Sequence, residues 1–278
     1  MLYKTKEILT DALHRKYGVA YFNATDLHMV RAYIRAAEEL RSPVIIGTSE
    51  GLLDLYGGYE WMAPLMLDAA KRATVPVAIH LDHTYRFETV MNALRNGFGS
   101  VMFDGSRLSY EENVACCAEV SKIAHAMDVG VEFELGCVGG LEDEHGNRDQ
   151  NRYTDPKMAV DFVERTKADF LAVAIGTVHG VYKTEPKLNL EILEQIHKDL
   201  PIPLVLHGGS GLSDDDFRNT IARGISKINV YTDIIQAGAG VLTAKESGVY
   251  ADIMLEAEAA MKAAAMKKIS VFGSAGKV

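Results

Sequence analysis

An eight-stranded parallel β/α barrel accounts for three features of this sequence. Short apolar runs, rich in β-branched and aromatic residues, recur at 19–22, 44–46, 77–79, 100–103, 129–133, 170–175, 204–206 and 227–230. Amphipathic helical patterns separate them, and every run finishes on polar residues. Strands that are apolar throughout are covered on both faces, and right-handed helical crossovers are the usual way to join parallel neighbours. Eight such units in 278 residues fit a single barrel domain spanning 1–278, with an open doubly wound sheet as the alternative.

The intervening patterns predict helices at 27–40, 60–73, 87–96, 110–126, 156–166, 190–198, 214–223 and 234–245. In the fourth, Val114, Cys117, Val120, Ser121 and Ala124 recur at helical spacing, while Glu111, Glu112, Glu119 and Lys122 fall largely elsewhere. Asn96-Gly97 and Arg223-Gly224 place glycine where a helix would end, and Ser213 before three aspartates reads as an N-cap. A further pattern at 252–268 carries Met254, Ala257, Met261 and Ala264 on one stripe. It predicts an extra C-terminal helix, packed on the barrel exterior or at a subunit contact.

Composition narrows the partners. The formal net charge is −9 and the basic residues are scattered, which leaves no electrostatic footprint for nucleic acid. The N-terminus lacks the apolar segment of a signal peptide, and no run approaches the roughly 18 residues of a membrane span, so a cytoplasmic protein is expected. Cys116, Cys117 and Cys137 have neither disulfide-framework nor zinc-thiolate spacing. Any metal must therefore rest on histidines and carboxylates.

In such barrels the C-terminal strand ends converge on one face, where chemistry takes place. The ends here supply Asn23, Thr48-Ser49, Asp82-His83, Asp104, Glu132 with Glu134, His179-Gly180, His207-Gly208-Gly209-Ser210-Gly211, and Asn229-Val230-Tyr231-Thr232. His83, His179 and His207 would overhang one cavity from the third, sixth and seventh strands. Three imidazoles with an open fourth position describe a catalytic zinc site; the alternative is hydrogen-bonding histidines in a metal-free barrel. Asp104 and Glu134 could serve as spare metal ligands, Asp104 at a second site, or as partners that hold the ligands. His14, His28, His125 and His197 fall in helices and His145 in a charged loop, where surface roles are expected.

The glycines after His207 leave backbone N–H groups accessible ahead of a helix, with Asn229 and Thr232 adding donors from the next strand. This is a recurrent phosphate position in barrels, although such glycine runs are also plain turns. Gly180 and Lys183 could close the same pocket. The acidic stretch 139–150 reads either as a lid over the site or as a solvated loop.

Four motifs, His80-Leu81-Asp82-His83, the stretch from Glu132 through Gly136-Cys137-Val138-Gly139-Gly140 to Asp143, the stretch from Ala174 through His179-Gly180 to Lys183, and His207-Gly208-Gly209-Ser210-Gly211, together resemble the class II ketose-bisphosphate aldolases. That family comprises metal-dependent fructose- and tagatose-bisphosphate aldolases, and the likeness runs along essentially the whole chain in the same order. The resemblance implies that His83, His179 and His207 bind zinc, with Glu134 approaching the metal in a resting arrangement. It further implies that Glu142 moves the proton beside the ketone and that Asp82 serves the aldehyde or hydroxyl oxygen. Gly180, Gly208, Gly209, Ser210, Asn229 and Thr232 would hold the phosphate of dihydroxyacetone phosphate, with a monovalent cation, Na⁺ or K⁺, nearby. Asn23 and Ser49 would line the substrate, and His80 would support the site from behind.

One position departs from that pattern. Fructose-specific members place aspartate, and tagatose-specific members alanine, where this chain has Tyr231, which would narrow and repolarise the sugar pocket. No arginine matches a second-phosphate contact, so an unphosphorylated aldehyde is compatible. The expectation is a zinc-dependent lyase yielding dihydroxyacetone phosphate and an aldehyde, working as a homodimer or homotetramer. The alternatives are a metal-dependent hydrolase, against which the first strand offers Phe22-Asn23 rather than His-x-His, and a non-catalytic sugar-phosphate-binding barrel.

Overall fold

The computed structural model describes residues 1–136, 138–140, 153–180, 186–245 and 247–278. Its barrel strands are β1 (Val19–Asn23), β2 (Val44–Ser49), β3 (Val77–Asp82), β4 (Ser100–Phe103), β5 (Gly130–Leu135), β6 (Phe170–Val173), β7 (Leu204–Leu206) and β8 (Ile225–Val230). All pair in parallel with sequential neighbours, and β1 closes the ring against β8. The fold is thus the closed barrel rather than the open sheet.

The helices are α1 (Thr5–Arg15), α2 (Leu27–Glu39), α3 (Glu50–Leu55), α4 (Tyr59–Arg72), α5 (Phe87–Arg95), α6 (Tyr110–Ala126), α7 (Pro156–Thr166), α8 (Leu190–Asp199), α9 (Asp214–Ile221), α10 (Thr232–Thr243) and α11 (Tyr250–Val271). Their starts follow local chemistry. Asp26, Ser109, Asp155, Asn189 and Ser213 each accept a backbone N–H in the first turn of the helix they precede. The C-terminal Met/Ala stripe of α11 packs against α2 and α10 of the same chain, with Ala257 and Met261 buried.

Strand alternation divides the interior into two cores. Outward residues such as Phe22, Ile46, Ile79, Val101, Phe133, Leu171, Leu206 and Ile228 pack beneath the helices. Inward residues Val19, Tyr21, Ile45, Ala78, Phe170, Ala172 and Val205 fill the lower barrel together with Ile8, Leu9 and Ala12 of α1. Helix α1 therefore plugs the N-terminal end. Its Thr5 hydroxyl lies 2.6 Å from the Ser100 hydroxyl, fixing the plug to β4.

Because side chains alternate with a period of two, continuing the same inward rows upward dictates what fills the upper barrel. Ala78 is followed by His80 and Asp82, Gly130 by Glu132 and Glu134, Val205 by His207, and Lys227 by Asn229. Apolar filling thus gives way to a polar layer, and that layer to the C-terminal mouth. Gly47 makes room for it: a Cβ there would lie 2.0 Å from the His80 carbonyl oxygen and 2.7 Å from the Tyr21 ring.

Candidate active site

His83 follows directly on β3 and takes φ 32°, a left-handed backbone in a non-glycine residue. Such conformations cost about 1–3 kcal/mol and persist where the surroundings hold them. The turn aims the His83 ring at two other imidazoles, with centroid distances of 5.0 Å to His179 and 4.5 Å to His207. His179 and His207 are 5.9 Å apart. One ligand nitrogen from each of the three lies within 4.8 Å of the others. Three imidazoles meeting at one point are a donor set suited to a borderline-soft divalent ion, so the residues fit the metal that the resemblance implies.

Carboxylates orient two of the three, His83 and His207. His83 Nδ1 lies 3.0 Å from Asp104 Oδ2, and burial of Asp104 is outweighed by the bond from His83, which holds its acid pKa well below the ordinary range. His207 lies between two acids, Nδ1 at 3.1 Å from Glu134 Oε2 and Nε2 at 3.0 Å from Glu132 Oε1. Burial and the nearby His83 lower its basicity, but these two bonds dominate and raise it. The Glu132 side is sealed inside the barrel, whereas Glu134 also belongs to a group with His83 and Asp104 whose ligand atoms converge. His207 Nδ1 therefore faces the side on which Glu134, His83 and Asp104 converge, and Glu132 fixes the ring from behind.

Asp82 ends β3 almost fully buried, and both of its oxygens accept from Asn229 Nδ2, at 2.9 and 3.1 Å. Burial alone would favour the protonated acid, yet the neighbouring His83, Lys227, His80 and His207 hold its pKa well below the ordinary value. It is an ionised carboxylate at the barrel mouth. Asn229 Oδ1 is buried and has no hydrogen-bond partner among the described residues, and neither have the Thr48 and Thr177 hydroxyls.

The other sequence-predicted residues that the structure describes gather around this rim. Asn23 Oδ1 accepts from Tyr21 at 2.6 Å, and Ser49 pairs in register with Asp82. Gly208, Gly209 and Ser210 follow His207, with Gly208 in the left-handed region at φ 66° and its α-carbon against Val178, where a Cβ would lie 2.5 Å from the carbonyl oxygen. Gly180 has φ 88° and directly follows His179. Thr232 opens α10, and Tyr231 precedes it, partly buried, its phenol pushed up to about 12 by burial and by Tyr56 and Asp26. Glu142 and Lys183, and His145 of the surface group, lie outside the described residues.

Two details differ from the sequence reading. The sixth strand stops at Val173, and His179 instead lies on a two-residue ladder, Val178–His179, paired in parallel with Gly139–Gly140. The φ of 111° at Gly176 turns the chain out of the barrel before His179 is reached. Helices α1 and α3 were also not delimited by the periodicity.

Lys227 falls within the run 227–230, which reads as apolar in the sequence. It is fully buried, its Nζ 2.7 and 2.9 Å from the Glu132 oxygens and 4.6 Å from the Tyr21 ring centroid. The available signal was alternation, since Lys227 and Asn229 share the inward row of β8. Among the surface histidines, His28 Nδ1 meets Glu258 Oε2 at 2.9 Å, and His125 Nε2 meets Asp169 Oδ2 at 2.8 Å.

Comparison with known proteins agrees along the chain. The family model described as class-II fructose-bisphosphate aldolase matches residues 3–277. A fructose-bisphosphate aldolase of Geobacillus stearothermophilus is 43% identical, covering 99% of this chain and 98% of that protein. The crystal structure of the YdjI aldolase from Escherichia coli K12 superposes with a TM-score of 0.92 at 38% identity, covering 100% of this chain and 99% of that one. A putative fructose-1,6-bisphosphate aldolase from Coccidioides immitis has a TM-score of 0.92 at 30% identity, over 99% and 97% of the two chains. With a family match over nearly every residue and the same barrel in both solved relatives, the chain belongs to the class II fructose-bisphosphate aldolase family of carbon–carbon lyases.

Proposed function

We propose that this single-domain barrel reversibly cleaves a ketose 1-phosphate or 1,6-bisphosphate to dihydroxyacetone phosphate and an aldehyde. The observation that carries the reading is the meeting of His83, His179 and His207 beside an ionised Asp82. The three histidines would hold Zn²⁺, with Glu134 as an alternate ligand. When bound, zinc supplies Lewis-acid polarisation of the substrate ketone.

The remaining work falls to the chain's own residues. In cleavage, Asp82 takes the proton from the hydroxyl that becomes the aldehyde oxygen, and the adjoining carbon–carbon bond breaks. Its electron pair stays with the dihydroxyacetone phosphate portion, and Glu142 returns a proton to that carbon. Residues Gly180, Lys183, Gly208, Gly209, Ser210, Asn229 and Thr232 would hold the phosphate, with a monovalent cation beside it. Backbone N–H groups freed of side chains and the N-terminus of α10 suit an anion there. Asn23 and Ser49 would line the substrate, and Tyr231 its aldehyde portion. Tyr231 offers an aromatic wall and one hydroxyl in place of a carboxylate, and with no arginine matching a second-phosphate contact an unphosphorylated aldehyde is compatible.

We further read the protein as a cytoplasmic homodimer or homotetramer; no helix among the described residues is long and apolar enough to cross a membrane. The test uses dihydroxyacetone phosphate labelled at the exchangeable carbon. The zinc-loaded protein is expected to release the label stereospecifically without any aldehyde, to stop after chelation, and to resume with Zn²⁺. A metal-dependent hydrolase or a silent binding barrel gives no exchange. A His83→Ala protein that still binds stoichiometric zinc and cleaves at full rate would overturn the site.

A further inference from the structure

Beneath the histidine trio lies a second group with metal-ligand chemistry. His80, Asp82 and Glu132 each offer a ligand atom within 4.8 Å of the others, and all three are buried. An imidazole and two carboxylates are an adequate donor set for a divalent ion. This lower group is already filled from the opposite side of the barrel. Lys227 Nζ lies 2.7 Å from Glu132 Oε2, 2.9 Å from Glu132 Oε1, 3.3 Å from His80 Nε2 and 3.7 Å from Asp82 Oδ1.

The cage is held on its outer side too. His80 Nδ1 meets the Ser100 hydroxyl at 2.7 Å, which in turn meets Thr5 of α1. The Tyr21 ring stands edge-on to His80, at 5.4 Å between centroids, and presents its face to the ammonium. An ammonium surrounded by two carboxylates, an imidazole and an aromatic face sits where these same donors would place a metal ion.

We propose that Lys227 is a tethered cation reserving this lower cage against a second metal ion, and a positioning residue for the site above it. Its bond to Glu132 anchors the carboxylate that fixes His207, and its charge faces Asp82 from below. A lysine serves this purpose because its compact charge is delivered by a chain that cannot diffuse away. Two carboxylates buried this close need a cation, and a covalently fixed one closes the lower position to incoming metal. The positioning role rests on the aldolase reading; the reserved cage does not.

Metal stoichiometry separates the two. The full chain, Lys227→Ala and Lys227→Met are dialysed against buffered excess Zn²⁺, and bound metal per chain is measured by mass spectrometry. The wild type is expected to hold one ion. Lys227→Ala, which removes charge and bulk, is expected to hold one more than wild type, and the extra ion is expected to vanish in Lys227→Ala/Glu132→Gln. Lys227→Met removes the charge but keeps the bulk. It is expected to gain no ion, and to weaken zinc at the upper site about 10–100-fold through the released Glu132. A folded Lys227→Ala with the wild-type stoichiometry overturns the reserved cage, whatever the wild-type number. Wild type without zinc would instead overturn the histidine site.

If Lys227→Ala folds poorly, its melting temperature is the second reading. Excess Zn²⁺ must raise it by more than it raises that of wild type, because the added ion takes the place of the ammonium. An equal rise in both proteins overturns the proposal.

Discussion

His83 Nδ1 and Asp104 Oδ2 are 3.0 Å apart in a buried contact between the end of β3 and the end of β4. The contact sets which face of the His83 ring is presented to His179 and His207, so under the proposed zinc site Asp104 would act on the metal through the histidine. Asp104→Asn keeps the shape but weakens the acceptor and is expected to lower zinc affinity about 10–100-fold. Competition against a chromogenic chelator measures this; an unchanged affinity would contradict the orienting role.

Glu132 contributes to the pH dependence of stability alongside Asp82 and Asp104. Burial alone would raise its pKa from the ordinary 4.5, but Lys227, then His80 and His207, pull it down to about 2. Between those values the unfolded chain binds a proton that the folded chain does not. The stabilisation is therefore complete above about pH 4.5 and is lost as the pH falls towards 2, a contribution of about 3 kcal/mol. Urea unfolding of zinc-free protein at several pH values is expected to show a shallower acid loss for the Glu132→Gln/Lys227→Met double variant, which removes both charges together.

Tyr231 is expected to govern the choice of aldehyde. In condensation with dihydroxyacetone phosphate, Tyr231→Asp and Tyr231→Ala should each shift the ratio of kcat/KM between phosphorylated and unphosphorylated aldehydes by about 10-fold or more. Label exchange from dihydroxyacetone phosphate alone should change less than that ratio. Equal preference in wild type and both variants would place discrimination elsewhere.

Glu258 joins α11 to α2. Its buried carboxylate is 2.8 Å from Arg35, 2.9 Å from His28 and 3.4 Å from Arg31. Since the arginines are partly exposed, removing the acid leaves them hydrated, and Glu258→Ala is expected to cost about 1–3 kcal/mol in chemical denaturation. Little loss would mean that the packing of Ala257 and Met261 alone secures the C-terminal helix.

The barrel was legible because its two signals are local: apolar strands alternating with amphipathic helices, and polar residues where each strand stops. So were His83, His207, Asp82 and Asn229, which sit at strand ends or alternate from them. Helix α1 was less legible, since its Ile8, Leu9 and Ala12 pack inside the barrel rather than along a conventional outer face. His179 was legible as one of the three histidines but not in its place, because the turn at Gly176 moves it from the sixth strand onto a separate ladder.

What tertiary structure alone decided is pairing. Spacing along the chain brings His80, Asp82 and His83 together, but only barrel closure brings Lys227 of β8 across to Glu132 of β5 and sets Glu132 and Glu134 on either side of His207. A buried charge takes its meaning from the charges around it, and those neighbours come from strands 73 to 147 residues away. The motifs thus carried the chemistry of the upper site in linear order. The ionic layer that supports it exists only once the ring is closed.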